Sequence, residues 1–167
     1  SYSKKLDFLS QYLAFDLKMS LLQKWSECMK TKNWTHTVDN EKGLILFTAS
    51  NEIASLRFIF IFKETDDRVI LLLTYERHCP EPYRQIMADF ANRVNYAIPI
   101  GFFAVDLSDG EVRFRHSIDV EGIEINDIFV DNFIKSCVTF CRRYYNPIQA
   151  IMNGYSIEAA MSTTEKS

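Results

Sequence analysis

The chain has 167 residues, of which 47% are hydrophobic, and its 19 basic and 22 acidic side chains give a formal net charge of −3. This composition is typical of a globular protein and excludes a disordered one. No Lys/Arg run is present, which argues against nucleic acid as the main partner. No apolar run is longer than that from Val69 to Leu73, which is too short to span a bilayer. With no signal-peptide pattern either, we expect a cytoplasmic protein without a membrane partner.

Four cysteines, Cys28, Cys79, Cys137 and Cys141, are too few for the disulfide framework of a small secreted domain. Cys137 and Cys141 share a helix face, and a zinc site built on them would need His78 and Cys79 as its second pair. Adjacent residues of an extended segment point apart, which makes that pair a poor one. The pattern therefore favours buried free thiols over zinc.

Two further groups of side chains suggest chemistry. Cys79 beside His78 or His116 has the residue types of a nucleophile and base, but no Gly-rich turn or oxyanion-hole motif accompanies them. Asp106 and Asp109 suggest calcium, but the ligand ladder of an EF-hand loop is absent. We expect no catalytic residue, no cofactor and no metal ion.

Residues 4–32 have helical spacing and are predicted to form two pieces. Leu6, Leu9 and Leu13 mark the first piece, and Asp16 is a candidate cap for the second. The second piece carries one apolar stripe, made of Leu21, Leu22, Trp25, Cys28 and Met29.

From Trp34 onward the pattern is that of strands. The predicted strands cover residues 34–38, 44–48, 55–63 and 68–75. Polar turns separate them, and the four-residue loop 64–67 has the length of a hairpin connection. These segments predict a meander of consecutive antiparallel strands.

Pro82 suits the first turn of a helix, and the apolar spacing from Tyr83 to Val94 predicts one, with Asn95 as its stop. A hairpin over 101–107 and 112–118 should follow.

Asp109-Gly110 is a favoured pair for a two-residue type I′ turn of this hairpin. That turn would place Asp106 opposite Arg113 as a cross-strand ion pair.

The last helix is predicted to begin at Asn126 or Asp127, to be kinked or restarted by Pro147, and to be capped by Gly154. The predicted organisation is an N-terminal helical extension over residues 1–15, one α+β domain over 16–154, and a flexible C-terminal tail over 155–167.

The two central strands are apolar on both faces, unlike an antiparallel sheet with one wet face. Both faces should therefore be covered, the second by the N-terminal helix or by another subunit. The predicted interaction or dimer surface consists of Phe58, Phe60, Phe62, Ile59, Ile61, Ile70 and Leu72.

The hairpin segments 100–106 and 109–115, and the helix ending in Tyr144-Tyr145-Asn146-Pro147-Ile148 and closing at Gly154, resemble the YbjN-like family. The resemblance extends from about Asp16 onward. It implies a bacterial protein similar to type III secretion chaperones, which are small acidic α+β proteins, often dimeric, that hold an extended client. It supplies no catalytic residue.

We therefore expect an α+β fold with an antiparallel sheet, a meander plus a hairpin, packed with helices in the order α-βββ(β)-α-ββ-α. The predicted function is a non-enzymatic, chaperone-like or regulatory module, a homodimer that binds a polypeptide client through apolar surface. The alternative is a small-molecule sensor or enzyme with a pocket between sheet and helices. Phe114, Tyr144 and Trp25 would line that pocket.

Overall fold

Strand alternation and helical stripes combine into one antiparallel sheet with helices along one face. The computed structural model describes residues 19–164. The helices are α1 (Leu21–Thr31), α2 (Arg84–Ala97), α3 (Asp127–Arg143), α4 (Tyr145–Met152) and α5 (Ile157–Met161). The strands are β1 (His36–Asp39), β2 (Leu44–Ser50), β3 (Ser55–Lys63), β4 (Arg68–Thr74), β5 (Phe102–Val105) and β6 (Val112–Asp119). The predicted α+β class is confirmed, and the elements follow the predicted order up to the last predicted helix, which is divided into α3 and α4 and is followed by α5.

The six strands lie in the order β1-β2-β3-β4-β6-β5, and all neighbours are antiparallel. The meander from β1 to β4 is present as predicted. The hairpin then adds its second strand, β6, beside β4, so that β5 becomes an outer strand. In the central register Phe60 lies opposite Ile45 on one side and Leu71 on the other.

Alternation divides the sheet into two faces, which we call proximal and distal. The proximal face carries the helices: the Trp25 ring of α1 contacts Phe60 at 5.3 Å, Phe62 at 6.0 Å and Phe133 of α3 at 5.5 Å. All the ring contacts described for residues 19–164 lie on this side of the sheet. The main hydrophobic core is therefore the layer between the proximal face and the helices.

Phe58, Phe60 and Phe62 belong to this core, which corrects their assignment to an interaction surface. Phe58 and Phe60 are fully buried and Phe62 is 7% exposed, all beneath the helices of the same chain. Phe47 of β2 stacks on Phe58 at 4.9 Å. A partner could reach these rings only after the helix layer had separated from the sheet.

The predicted hairpin register is wrong by two residues. Arg113 lies opposite Ala104, and Phe103 lies opposite Phe114, so Asp106 and Arg113 are not a cross-strand pair. The Asp106 carboxylate instead accepts hydrogen bonds from the amide and hydroxyl of Ser108, which lower its pKa. These bonds stabilise a loop longer than two residues.

The turn itself also differs from a type I′ turn, which needs positive φ at both central residues. Gly110 has φ +85°, whereas Asp109 is not among the residues with positive φ. Asp109 accepts the amide of Glu111 instead, and Arg113 pairs with Glu111 along its own strand. Asp109 and Gly110 thus lie in the loop that joins β5 to β6, as predicted, but they do not form a type I′ turn.

The C-terminal region is more ordered than predicted. The last long helix breaks at Tyr144, and Pro147 falls in the first turn of α4, where a proline is tolerated. Residues 157–161, assigned to a flexible tail, form α5, in which Ile157 and Ala160 are buried. The predicted extension over 1–15 and residues 165–167 lie outside the described residues.

Candidate interaction surface

The distal face presents an apolar stripe across the strands, interrupted on β6 by Arg115. One cross-strand row runs from Leu46 through Ile59 and Leu72 to Arg115 and Phe102. A second row runs through Leu44, Ile61, Ile70 and Ser117. We define the distal stripe as Leu44, Leu46, Ile59, Ile61, Ile70, Leu72 and Phe102.

The side chains of the stripe are apolar, and several of them are exposed enough to contact a partner molecule. Its two ends, Leu46 and Phe102, are 39% and 42% exposed, while Ile59, Ile61 and Leu72 are half-buried. Ile70 is only 9% exposed. Contiguous apolar surface of this kind is typical of an interaction site.

Basic side chains border the stripe. Arg57 forms an ion pair with Glu76 at 2.8 Å, and Arg113 pairs with Glu111. Arg115, between Leu72 and Phe102, donates to the Ser117 hydroxyl at 3.3 Å and has no ion pair within residues 19–164. This part of the surface can therefore accept a carboxylate from a partner.

Lys63 adds a second such cation at the far end of β3. It lies opposite Arg68 and shares the face of Ile61, since alternate residues of a strand point the same way. Its side chain has no ion pair among the described residues.

A groove of about 780 Å³ crosses one half of this surface. Its lining includes Leu46, Ile59 and Leu72 from the stripe, with Thr48 and Thr74 beside them. Its far end is formed by residues 76–78 and by the α4 residues Tyr145 and Gln149. The groove thus joins an apolar floor to hydroxyl groups that can bond to a polypeptide.

The two outer strands differ in their free edges. The Asn95 side chain donates to the Phe103 carbonyl at 2.9 Å and accepts the Phe103 amide at 2.7 Å, replacing a neighbouring strand along β5. At β1, no hydrogen bond among the described residues occupies the outer edge in this way. Strand addition is therefore obstructed at β5.

The N-terminus of α1 is fixed at one end of the sheet. Ser20 caps the helix, and the Glu64 carboxylate, just after β3, accepts the amides of Leu21 at 2.9 Å and Leu22 at 3.0 Å. A carboxylate at this position also interacts favourably with the helix dipole. The chain therefore enters the described structure beside the Lys63 end of the distal stripe.

The cysteines that could supply nucleophiles or metal ligands are buried. All four cysteines are buried and free, and burial raises the pKa of Cys28 to about 11 and of Cys137 to about 12. Burial also raises the pKa of Cys79, against the lowering effect of Arg84. Within residues 19–164, no cluster of three His, Cys, Asp or Glu side chains could hold a metal ion.

The residues assigned to a ligand pocket by the alternative prediction are packed. Trp25 and Phe114 are fully buried, and Tyr144 is 6% exposed. Phe114 contacts Phe103 at 5.2 Å, and Tyr144 contacts Phe103 at 5.7 Å. Rings therefore fill this part of the sheet–helix layer.

Four residues of the surface were missed in the sequence, namely Leu44, Leu46, Phe102 and Arg115. Leu44 and Leu46 alternate with the buried Ile45 and Phe47, so the apolar run of β2 carries the same two-faced signal as β3. Phe102 and Arg115 are cross-strand neighbours only in the observed register of β5 and β6. The turn predicted at Asp109-Gly110 gave a different register.

Among residues 19–164, none of the helices combines the length and the hydrophobicity that a membrane-spanning segment needs. The sheet with its single helix layer defines an α+β fold. A chain of the ExsC–ExsE complex has the same fold, with a TM-score of 0.50 at 12% sequence identity, over 73% of this chain and 91% of that one. A chain of the HopA1–SchA chaperone–effector complex gives a TM-score of 0.48 at 15% identity, over 70% and 85%.

The chain belongs to the YbjN family. The family profile, described as "Putative bacterial sensory transduction regulator", matches residues 26–150, which include all six strands and the α1–α3 helices except the first turns of α1. The resemblance predicted from the hairpin and last helix is therefore confirmed. None of the curated proteins compared with the chain is significantly similar to it.

Proposed function

We propose that the protein is a non-enzymatic, chaperone-like or regulatory module that acts in the cytoplasm and binds a segment of a partner polypeptide on its distal face. The observation that carries this proposal is the distal stripe, whose ends at Leu46 and Phe102 remain exposed on a face turned away from the helices. Burying such side chains against a partner contributes about 1.5–3 kcal/mol each.

The charges beside the stripe indicate the chemistry of the partner. Arg115 and Lys63 have no carboxylate partner among residues 19–164, while Arg57 and Arg113 already have one. A segment that combines apolar side chains with one or two acidic residues would bury the stripe and pair with these cations.

The arrangement favours docking onto the face over strand addition at the edge. The groove is lined by residues of several strands, including Leu46, Ile59 and Leu72 of the stripe, whereas Asn95 occupies the outer edge of β5. β1 is only four residues long. A helix or extended segment lying across the strands makes the better match.

Selection of binding peptides from a random displayed library tests the proposal. Selected sequences should combine apolar and acidic residues, and Leu72→Lys should weaken their binding at least about tenfold, because a buried apolar contact is replaced by a charge. Arg115→Ala should weaken binding less, by about threefold. Fluorescence anisotropy of the labelled peptides measures both effects.

Asn92→Lys is the matched control. Asn92 is exposed on α2, so this substitution adds the same positive charge away from the distal face. Circular dichroism confirms that each variant is folded. Peptides whose affinity is unchanged by Leu72→Lys would contradict the proposal. A homodimer that Leu72→Lys dissociates in sedimentation equilibrium would show that a second copy is the partner.

The groove also supports a second candidate function, a small-molecule sensor. Its volume of about 780 Å³ is of the size that holds a small ligand. A thermal-shift screen over common metabolites and metal ions tests this candidate. A large stabilisation that Thr74→Ala or Leu72→Lys removes would favour the sensor over the polypeptide-binding module.

A further inference from the structure

The groove on the distal face has an excess of positive charge at one end. Its lining includes two arginines and one carboxylate, namely Arg57, Arg77 and Glu76. Glu76 pairs with Arg57 at 2.8 Å. Arg77 donates to the Asn153 side chain at 2.7 Å and to the Met152 carbonyl at 3.0 Å, and it has no ion pair within residues 19–164. One guanidinium charge of the lining is therefore not balanced by a described carboxylate.

A third arginine lies near the same end of the groove. Arg142 of α3 donates to the Ser50 carbonyl at 3.1 Å, and the hydroxyls of Ser50 and Ser55 are hydrogen-bonded at 2.8 Å. Ser55 belongs to the groove lining and precedes Arg57 by two residues on the same face of β3. Clustered positive charge at the end of a cleft attracts an anion.

Hydroxyl groups flank Arg57 on both sides. Thr48 of β2 lies directly opposite Arg57, and the β3–β4 register continued by one residue brings Thr74 to its other side. Both threonines line the groove. A guanidinium between two hydroxyl groups can hold a carboxylate through several hydrogen bonds, of which those from the guanidinium are charge-assisted.

The ion pair of Arg57 with Glu76 leaves this site open to exchange. Both side chains are 77% exposed, and an ion pair exposed to this degree contributes little to stability because water screens it. A ligand that brings a carboxylate and also buries apolar surface can therefore replace Glu76. Glu76 then acts as an internal competitor for Arg57.

The apolar part of the groove begins next to Arg57. Ile59 lies two residues further along β3 on the same face, at about 7 Å, and Leu46 and Leu72 are its cross-strand neighbours. We call these three residues the floor row. One residue of a ligand can thus place a carboxylate on Arg57 and an apolar side chain on the floor row. In a polypeptide, only the C-terminal residue carries both groups.

We infer that the groove binds the C-terminal end of a partner polypeptide, with the terminal carboxylate on Arg57 and an apolar last side chain on the floor row. The inference rests on the proposed function, because it names the part of the partner that occupies the same face. Residues 76–78 and the α4 side chains form the end of the groove beyond Arg57, which agrees with a segment that stops there.

Peptides synthesised in pairs test the inference. Sequences selected from a random library displayed with free C-termini are made with either a carboxylate or a carboxamide at the end, and fluorescence anisotropy with the full chain compares them. The free acid should have an apolar last residue and bind at least about tenfold more tightly, because the amide loses the charge-assisted hydrogen bonds. Equal affinities of the two forms would overturn the inference.

Substitution of Arg57 tests where the carboxylate binds. Arg57→Ala should weaken binding of the free acid about tenfold and of the amide less than about twofold, so that the preference disappears. Glu76→Gln should tighten binding of the free acid about threefold, because it removes the internal competitor. A preference for the free acid that survives Arg57→Ala would contradict the assignment of Arg57.

Arg113→Ala is the matched control for Arg57→Ala. Arg113 lies opposite Thr74 in the same cross-strand row and also pairs with a glutamate, but it does not line the groove. Its substitution should change both affinities less than about twofold. A loss as large as that of Arg57→Ala would show a general effect of surface charge and would overturn the inference. Circular dichroism confirms that the variants are folded.

The inference and the proposed function fail in different ways. Peptides that bind equally well as acid and amide, and that Leu72→Lys weakens, contradict the inference and support the proposed function. If libraries with free and with blocked C-termini both yield no binding peptide, the proposed function fails and the inference fails with it. Octanoate serves as a probe for small organic acids, and competition by octanoate at the affinity of the peptides would overturn the inference in favour of the sensor.

Discussion

Gly110 allows a sharp test of how the β5–β6 loop is held. Its φ is +85°, and a Cβ added there would lie 2.1 Å from the Cys79 carbonyl oxygen. The same two residues share a backbone hydrogen bond, from the Cys79 amide to the Gly110 carbonyl at 2.7 Å. Arg84 links the two segments further, through the carbonyls of Leu107 at 3.1 Å and Ser108 at 2.7 Å.

Gly110→Ala should therefore lower the free energy of unfolding by about 3 kcal/mol. An L-residue in the left-handed region costs about 1 kcal/mol. Moving the Cys79 carbonyl aside loses one backbone hydrogen bond, worth about 1 kcal/mol, and weakens the bonds of Arg84 by about as much again. Urea denaturation followed by circular dichroism measures the change.

Gly122→Ala is the matched control. Gly122 has φ +69°, but a Cβ added there has no atom within 4 Å. Only the conformational cost of about 1 kcal/mol applies. Equal losses in the two variants would refute the reasoning, because the close approach of Gly110 to Cys79 would then contribute nothing to stability.

Three further predictions concern hydrogen bonding, acid stability and thiol reactivity. Asn95→Ala should destabilise the fold by about 1–2 kcal/mol and speed hydrogen exchange of the Phe103 amide, whereas Asn95→Asp keeps the acceptor for that amide and should protect it. Hydrogen bonds from Lys135 and Trp34 lower the pKa of Asp131, so its carboxylate stabilises the folded state above the ordinary pKa of about 3.9, and this contribution is lost as pH falls through the lowered value. Urea denaturation of Asp131→Asn between about pH 5 and pH 2 should accordingly show a weaker pH dependence than the unchanged chain, and an identical slope would contradict this assignment. At pH 8 the four native thiols should react with a thiol reagent only after denaturation, and rapid reaction of any of them in the folded chain would contradict their burial.

The central sheet could be predicted because its local and long-range signals agree. β3 and β4 match the predicted strands to within one residue, since the polar loop 64–67 fixes which residues face each other. The apolar content of both strand faces was also recognised. Which face the helices would cover was not, because Phe58 and Ile59 are equally apolar and only the position of Trp25 in three dimensions distinguishes them.

The hairpin shows where a short motif fails. Asp109-Gly110 has the preferred composition of a two-residue turn, but side-chain hydrogen bonds of Asp106 and Asp109 favour a longer loop. Contacts distant in sequence then hold that loop, since Arg84 bonds to two of its carbonyls. The two-residue error in register placed Ser117 opposite Phe102 in the prediction, whereas the structure places Arg115 there.

The C-terminal helix α5 was missed although a local signal was present. Ser156 caps it by accepting the amide of Ala159, and the following residues up to Met161 have good helix propensity. Its short length hides any apolar periodicity. Its stability comes from burying Ile157 and Ala160 against the rest of the chain, which no local pattern reveals.

The side chain of Asn95 has a consequence for how copies of the protein can join. Sheets that merge edge to edge grow into fibres only if each molecule offers two open edges. Here one edge is interrupted where that amide takes both backbone groups of Phe103. If two molecules joined through their β1 strands, the outer strands of the combined sheet would be the two β5 strands, whose edges are obstructed. Such an assembly would stop at a dimer with one twelve-stranded sheet instead of polymerising.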